Sequence, residues 1–189
     1  MEEEKIITET RKKANPGPLG LLGFGMTTLL LNLHNAGVFG LNIMIAAMGF
    51  ALGGAAQIIA GVLEFKHDNT FGGTAFCAYG FFWWSLVLVW WNPFHMEPAS
   101  GSAMGFYLLV WCLFTAFMFI GTLSHNTITK LVFGSLTVLF LLLAIGNFTE
   151  AEGVHISAGI VGIICGAFAI YSAMAQIVNA ELGKKIFPL

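Results

Sequence analysis

Polar and apolar positions in this chain segregate over whole segments rather than over single turns. Six stretches, residues 19–36, 41–63, 71–91, 103–123, 131–148 and 155–178, contain no Asp, Glu, Lys or Arg. They run from 18 to 24 residues, and at about 1.5 Å per residue each can cross a hydrocarbon core about 30 Å thick. Backbone in lipid must bond to itself, so uncharged stretches of this length predict helices. The weaker signal of an outer-membrane barrel, ten-residue segments of alternating polarity, is missing. The predicted fold class is an all-α integral membrane protein with six transmembrane helices and short connections, the longest being residues 92–102.

The charged positions give that bundle an orientation. Lys5, Arg11, Lys12 and Lys13 precede the first stretch, Lys66 and Lys130 follow the second and fourth, and Lys184 and Lys185 follow the sixth. The other three connections carry only Glu97, Glu150 and Glu152. All eight cations therefore fall on one face, and the positive-inside rule predicts cytoplasmic N- and C-termini. Trp90 and Trp91 suit the opposite interface as aromatic anchors. Residues 1–14 are expected to form a solvated cytoplasmic tail and residues 15–189 the six-helix membrane domain. The long first stretch after MEEEK does not read as a cleavable signal.

Composition excludes the alternatives. The chain has 189 residues, 57% of them hydrophobic and 10% charged, against about 25% charged in ordinary soluble domains. A fold this small keeps too much surface in water to hide such an excess. A formal net charge of −2 provides no basic footprint for nucleic acid. Cys77, Cys112 and Cys165 lie inside the stretches without CxxC or Cys/His spacing, so apolar packing is favoured over a metal or a disulfide. No metal or cofactor is expected, and no HExxH, GxSxG or in-membrane carboxylate pair points to an enzyme.

The stretches hold neutral polar groups instead: Thr27, Thr28, Asn32 and His34 in the first, Gln57 in the second, Thr74 and Tyr79 in the third. Ser135, Thr137 and Asn147 follow in the fifth, and His155, Ser157, Ser172 and Gln176 in the sixth. Such a set can line a narrow path for a small neutral or weakly charged solute. Interhelical hydrogen bonds, worth about 1 kcal/mol or less each, are the simpler reading for any single residue. Glycine pairs such as Gly49/Gly53 and Gly162/Gly166 fit close helix packing, within the chain or between copies of it. His34 and His155 fall near the outer ends of their stretches, where each can titrate near neutral pH or simply face headgroups.

The most unusual segment is Asn15-Pro16-Gly17-Pro18-Leu19-Gly20-Leu21. Asn is a favoured N-cap and Pro a favoured first helical residue, so a helix is expected to start here. Open N–H groups at such a terminus can hold a carboxylate without a cationic side chain. A rigid helix start with a close-packed face accounts for the same residues.

NPGPLGLLGFGMTTLLLNLHNAG resembles the opening of the acetate uptake transporter family, the succinate–acetate permeases, with Gly17 replacing the family's alanine. Asn69-Thr70-Phe71-Gly72-Gly73-Thr74, the run 78–83 (AYGFFW) and the run 133–147 (FGSLTVLFLLLAIGN) are similar to further family blocks. The resemblance spans nearly the whole chain from Asn15. It implies a six-helix permease of the cytoplasmic (inner) membrane, assembled as a homo-hexamer with a pathway in each protomer. The implied cargo is acetate, with succinate or other short carboxylates, coupled to protons. It also implies a hydrophobic constriction at Phe24, Tyr79 and Leu136, with Ala169 nearby.

Together these readings make Asn15, Pro16, Pro18, Leu19, Gly20, Thr27, Thr28, Asn32, Thr137, Asn147 and Ala169 candidate substrate contacts. Tyr79 is expected to offer its hydroxyl to the solute, and Asn15 with its helix terminus to hold the carboxylate. His34, His155 and Glu64 are candidates for proton coupling. The alternatives are a passive channel for acetate or small solutes, ammonium transport, and a structural membrane protein without a pathway. Ammonium ranks lower because in-membrane carboxylates are missing.

Overall fold

The structure is a computed structural model that describes residues 14–189, so the expected tail lies outside the described residues except for Ala14. Six helical spans follow in order. They are α1 (Gly17–Asn35), α2 (Ile43–Phe65), α3 (Thr70–Trp91), α4 (Gly101–Gly121, extended by a short 3-10 turn to Ser124), α5 (Thr127–Thr149) and α6 (Glu152–Glu181). Every predicted stretch is a helix, and the boundaries differ by a few residues. Five spans have a mean hydropathy between 1.4 and 2.3 over their best windows. The 19-residue α1 falls short of that group; Asn32, His34, two threonines and four glycines dilute its leucines.

Side-chain caps mark where most spans begin. Asn42, Asn69, Ser100 and Asn126 each accept a hydrogen bond from a backbone N–H two or three residues on. Such caps satisfy donors that a helix leaves open at its first turn. Asn92 and Glu150 close α3 and α5 in the left-handed conformation, at φ 46° and 54°, which turns the chain sharply into the next connection.

Inside the spans the polar side chains mostly bond to their own helix. Thr27 Oγ1 donates to Gly23 O, Asn32 Nδ2 to Thr28 O, Gln57 Nε2 to Gly53 O and Thr115 Oγ1 to Trp111 O. Ser135, Thr137, Asn147 and Ser157 do the same, each to the carbonyl four residues back. The interhelical polar bonding expected for these residues is therefore largely replaced by bonding within each helix. Without such a local acceptor each donor would stand unbonded in an apolar bundle, at a cost of about 1–3 kcal/mol.

Helix association rests on two other devices. Along the α1–α6 seam glycines let the backbones touch: a Cβ added to Gly25 would stand 2.9 Å from Gly166 O, and one on Gly166 2.8 Å from Gly25 O. Gly162 makes room for Asn32, and α2 closes on α3 in the same way through Gly54 and Gly80. By contrast, α3 meets α4 and α5 through rings: Tyr79 packs on Phe114 and Phe133, and Phe82 on Trp111 and Phe140, with centroids 5.1–6.2 Å apart. The bundle is thus closed tightly on one side and propped open by aromatic side chains on the other.

One span departs from regular geometry. Residues Gly49–Ala56 of α2 form a π-helical stretch. Gly53 and Gly54 lie under the rings of Trp83 and Trp84, and Trp84 Nε1 donates to Phe50 O at 2.9 Å. A widened turn that offers a carbonyl to an indole explains the irregularity, and such stretches often mark functional positions. Large apolar side chains such as Ile43 and Phe106 point outward, as expected of a surface solvated by lipid.

Gly25→Leu is expected to destabilise the seam by about 1–3 kcal/mol, the typical penalty of overpacking, because the obstruction is backbone rather than a movable side chain. The thermal unfolding midpoint of the purified protein in detergent measures this; a midpoint equal to wild type would contradict the close approach.

Candidate functional site

Three cavities follow one another through the gap between α1, α3 and α5. The widest, about 430 Å³, lies at the end of the bundle opposite Asn15 and is bordered by Leu31, His34, Phe82, Trp90, Leu143, Asn147 and His155. Leu31, Phe82 and Leu143 are shared with a middle chamber of about 30 Å³, which also touches Thr28, Asn32, Trp83 and Phe140. An inner chamber of about 20 Å³ follows, walled by Leu21, Gln57, Ala75, Phe76, Val132 and Phe133. Three residues border both small chambers: Phe24, Tyr79 and Leu136.

That trio forms the neck. All three side chains are buried, and the Phe24 and Tyr79 rings stand 5.8 Å apart at 45°. Each chamber has room for about one or two water molecules, so a solute of several heavy atoms passes only when these side chains rotate or the helices part. Leu136 is the non-aromatic member, carried by α5 opposite the two rings. No Asp, Glu, Lys or Arg side chain borders any of the three cavities.

The Tyr79 hydroxyl is not free. It lies 2.9 Å from Thr115 Oγ1, and Thr115 gives its single hydrogen to Trp111 O at 2.7 Å. Tyr79 must therefore donate to Thr115, and its hydrogen is not available to the neck. This corrects the expectation that the hydroxyl donates to the solute.

The described end that begins with Asn15 holds the second polar group. Asn15 Oδ1 accepts from Gly17 N at 3.0 Å, and its Nδ2 donates to Gln176 Oε1 at 3.0 Å. Glu64, 6% exposed, is the one buried carboxylate among the described residues; its Oε2 accepts from Asn69 Nδ2 at 2.7 Å. Asn69 in turn caps α3. A Cβ on Gly17 would come within 3.3 Å of Glu64 Oε1, so the start of α1 packs directly on this carboxylate. Leu19 N and Gly20 N donate to Pro16 O, and Pro18 has no N–H. The helix start therefore has no donor left open for a carboxylate, contrary to the expectation for that terminus. The N-cap falls on Pro16, one residue later than expected, with Asn15 bonded to Gly17 N just before it; Pro18 is buried, Leu19 is exposed and Gly20 accommodates the ring of Phe76.

The remaining candidates divide by geometry. His34, His155 and Asn147 meet at the wide vestibule, and Thr28 and Asn32 at the middle chamber. Thr27, Thr137 and Ala169 border none of the three cavities; Thr27 and Thr137 bond to their own helices and Ala169 is fully buried in the core. Leu21, Phe76, Phe82 and Phe140 were missed as lining residues, since an apolar side chain in an apolar span carries no signal of its own. Gln57, named in the sequence among the polar groups that can line a path, does border the inner chamber.

The six-helix fold is matched in known proteins. The profile of the GPR1/FUN34/yaaH family covers residues 2–185. The chain belongs to the GPR1/FUN34/yaaH family. It is the family that the Asn15–Leu21 opening resembles. One family member, the succinate-acetate/proton symporter SatP of Escherichia coli (strain K12), is 51% identical over 180 residues, covering 94% of this chain and 96% of that protein. The ammonia transport outward protein 2 of Saccharomyces cerevisiae is 41% identical over 179 residues, covering 90% of this chain and 64% of that protein. A solved structure of the bacterial acetate channel SatP superposes with a TM-score of 0.92 at 51% identity, over 94% of this chain and 99% of that one. The family relationship thus extends through all six spans.

The hydrogen-bond order at Tyr79 predicts an asymmetry in stability. Tyr79→Phe removes one bond, worth about 1 kcal/mol, and leaves Thr115 bonded to Trp111. Thr115→Val strands the Tyr79 hydroxyl in an aromatic core and is expected to cost more, about 1–3 kcal/mol. Thermal unfolding of the two variants in detergent gives the order; the reverse order would refute the assignment of donor and acceptor.

Proposed function

We propose that the chain carries acetate, with succinate or other short carboxylates, across the cytoplasmic (inner) membrane together with protons. The passage runs through the Phe24/Tyr79/Leu136 neck of each protomer. The observation that carries this reading is the neck itself: three apolar side chains between two chambers, on a path bordered by no ion. A relative named as a succinate-acetate/proton symporter and another described as an acetate channel support the cargo. The family resemblance supports a homo-hexamer. Transport also accounts for the path better than an enzyme does, since no nucleophile–base pair faces it.

The physics of the neck favours the neutral acid. A short carboxylic acid has a pKa of about 4.3, like a Glu side chain, so near neutral pH only about one molecule in several hundred is protonated. A bare carboxylate in a dry apolar constriction loses its hydration without a partner, which costs far more than moving the neutral form. Passage as the acid moves one proton with each carboxyl group. His34 and His155 at the wide vestibule and Glu64 at the other end are the groups placed to exchange that proton with the solute. The cationic loops support placing the Asn15 end, with residues 1–14 as a tail, in the cytoplasm. In that orientation the vestibule opens outward. Asn15, Gln176 and Glu64 then form the inner mouth of the domain 15–189.

Two measurements test this. In proteoliposomes, labelled acetate is expected to enter in response to an imposed pH gradient and to be indifferent to membrane voltage set by potassium and valinomycin. Voltage-driven current carried by acetate would establish anion conduction and overturn neutral passage, and ammonium flux without acetate flux would shift the cargo.

Leu136→Ala is expected to widen the neck, raising uptake of lactate or succinate relative to acetate severalfold. Unchanged relative rates would remove Leu136 from the path.

A further inference from the structure

Passage of a neutral acid explains the apolar neck, but it leaves one feature of the inner chamber unexplained. Gln57 is fully buried on α2 and forms part of the chamber wall. Its Nε2 donates to Gly53 O at 2.8 Å. That bond fixes the orientation of the amide, because a backbone carbonyl can only accept. Oε1 is left as the one buried side-chain oxygen or nitrogen among the described residues with no hydrogen-bond partner in the chain. Nearly every other polar side chain in the spans is satisfied within its own helix, so the exception calls for a cause.

The wall itself cannot supply the missing donor. Apart from Gln57, the only polar side chain bordering the chamber is Tyr79, and its hydrogen is committed to Thr115. The donor must arrive with whatever occupies the chamber. Gly53, which holds the amide in place, belongs to the π-helical stretch, so an irregular turn sets the direction of this acceptor.

We propose that Gln57 Oε1 is an acceptor subsite just inside the neck, and that it receives the O–H of the neutral carboxylic acid. The inference rests on the reading of acid transport given above. A protonated acid brings one O–H donor to a lone acceptor. The carboxylate brings only acceptors and meets Oε1 with repulsion, in a chamber that has no cation to offset it. The subsite thereby discriminates between two protonation states of the same molecule, which apolar walls of the same shape would do by desolvation alone. Size is set at Leu136 and protonation state at Gln57, two residues on different helices that border the same chamber.

The test uses the full chain in proteoliposomes. Gln57→Met keeps the volume and removes the acceptor; its KM for acetate uptake at pH 5 is expected to rise about tenfold, the equivalent of about 1.4 kcal/mol, with the maximal rate little changed. In the wild-type protein, acetamide, which offers N–H donors, is expected to inhibit acetate uptake at least tenfold more strongly than acetone, which offers none. A Met variant with unchanged KM, or acetone competing as well as acetamide, overturns the subsite. The competition result decides alone if the Met variant does not fold. Wild-type protein that takes up no acetate above empty vesicles removes the transport reading and this proposal with it; active wild type with either overturning result removes only the subsite.

Discussion

A bundle in lipid has no water to satisfy its polar side chains, and nearly everything about this fold follows from how that constraint is met. The threonines, serines and asparagines of the spans bond to the carbonyl one turn back in the same helix. Polarity is thereby mostly neutralised locally, and only a few polar bonds, such as Tyr79 to Thr115 and Trp84 to Phe50 O, run from one helix to another. Cohesion is left to backbone contact at glycines and to stacked rings. A helix pair held mainly by such contacts can shift slightly with few hydrogen bonds to break, whereas an extended polar network would have to be dismantled. The neck, set among rings and leucine, can widen by side-chain rotation at small cost.

The two kinds of contact also divide the molecule. Where α1 meets α6, reciprocal glycines bring backbone against backbone, and no rotamer change can open that seam. Where α3 faces α4 and α5, aromatic side chains fill the distance. Rings have two rotatable bonds and offset packing minima of similar energy, so this is the compliant side. The three cavities lie beside it. Phe24 stands on the closely packed helix α1, while Tyr79 and Leu136 stand on α3 and α5, the two helices separated by rings.

This division explains what could be read from the sequence. The six spans were legible because charge placement is a membrane-scale signal that needs no knowledge of which helix touches which. The meeting of His34 with His155 at one vestibule follows from span order alone. The faces of the helices were not legible. Each span is apolar on nearly every side, toward lipid as toward core, so no stripe of polarity says which side is inward. Thr137 and Thr27 were therefore candidates for the path although they point elsewhere. Phe24, Tyr79 and Leu136 came only from the family motifs, because an apolar residue in an apolar helix carries no signal of its own. The π-helical stretch was equally silent, since it depends on Trp84 reaching Phe50 from another helix.

Glu64 shows why the Asn-Pro-x-Pro segment matters although its N–H groups are spent. A buried carboxylate in a membrane protein needs partners, and it receives Asn69 from the start of α3 while the start of α1 covers it. Gly17 allows that approach, and a larger residue would have to displace Asn15 Oδ1 at 3.0 Å or Glu64 Oε1 at 3.3 Å. Asn15 ties the same helix start to Gln176 on α6. Three helix ends thus converge on one buried acidic group, and the same contacts that bury it fix how α1, α3 and α6 sit together at this end of the bundle.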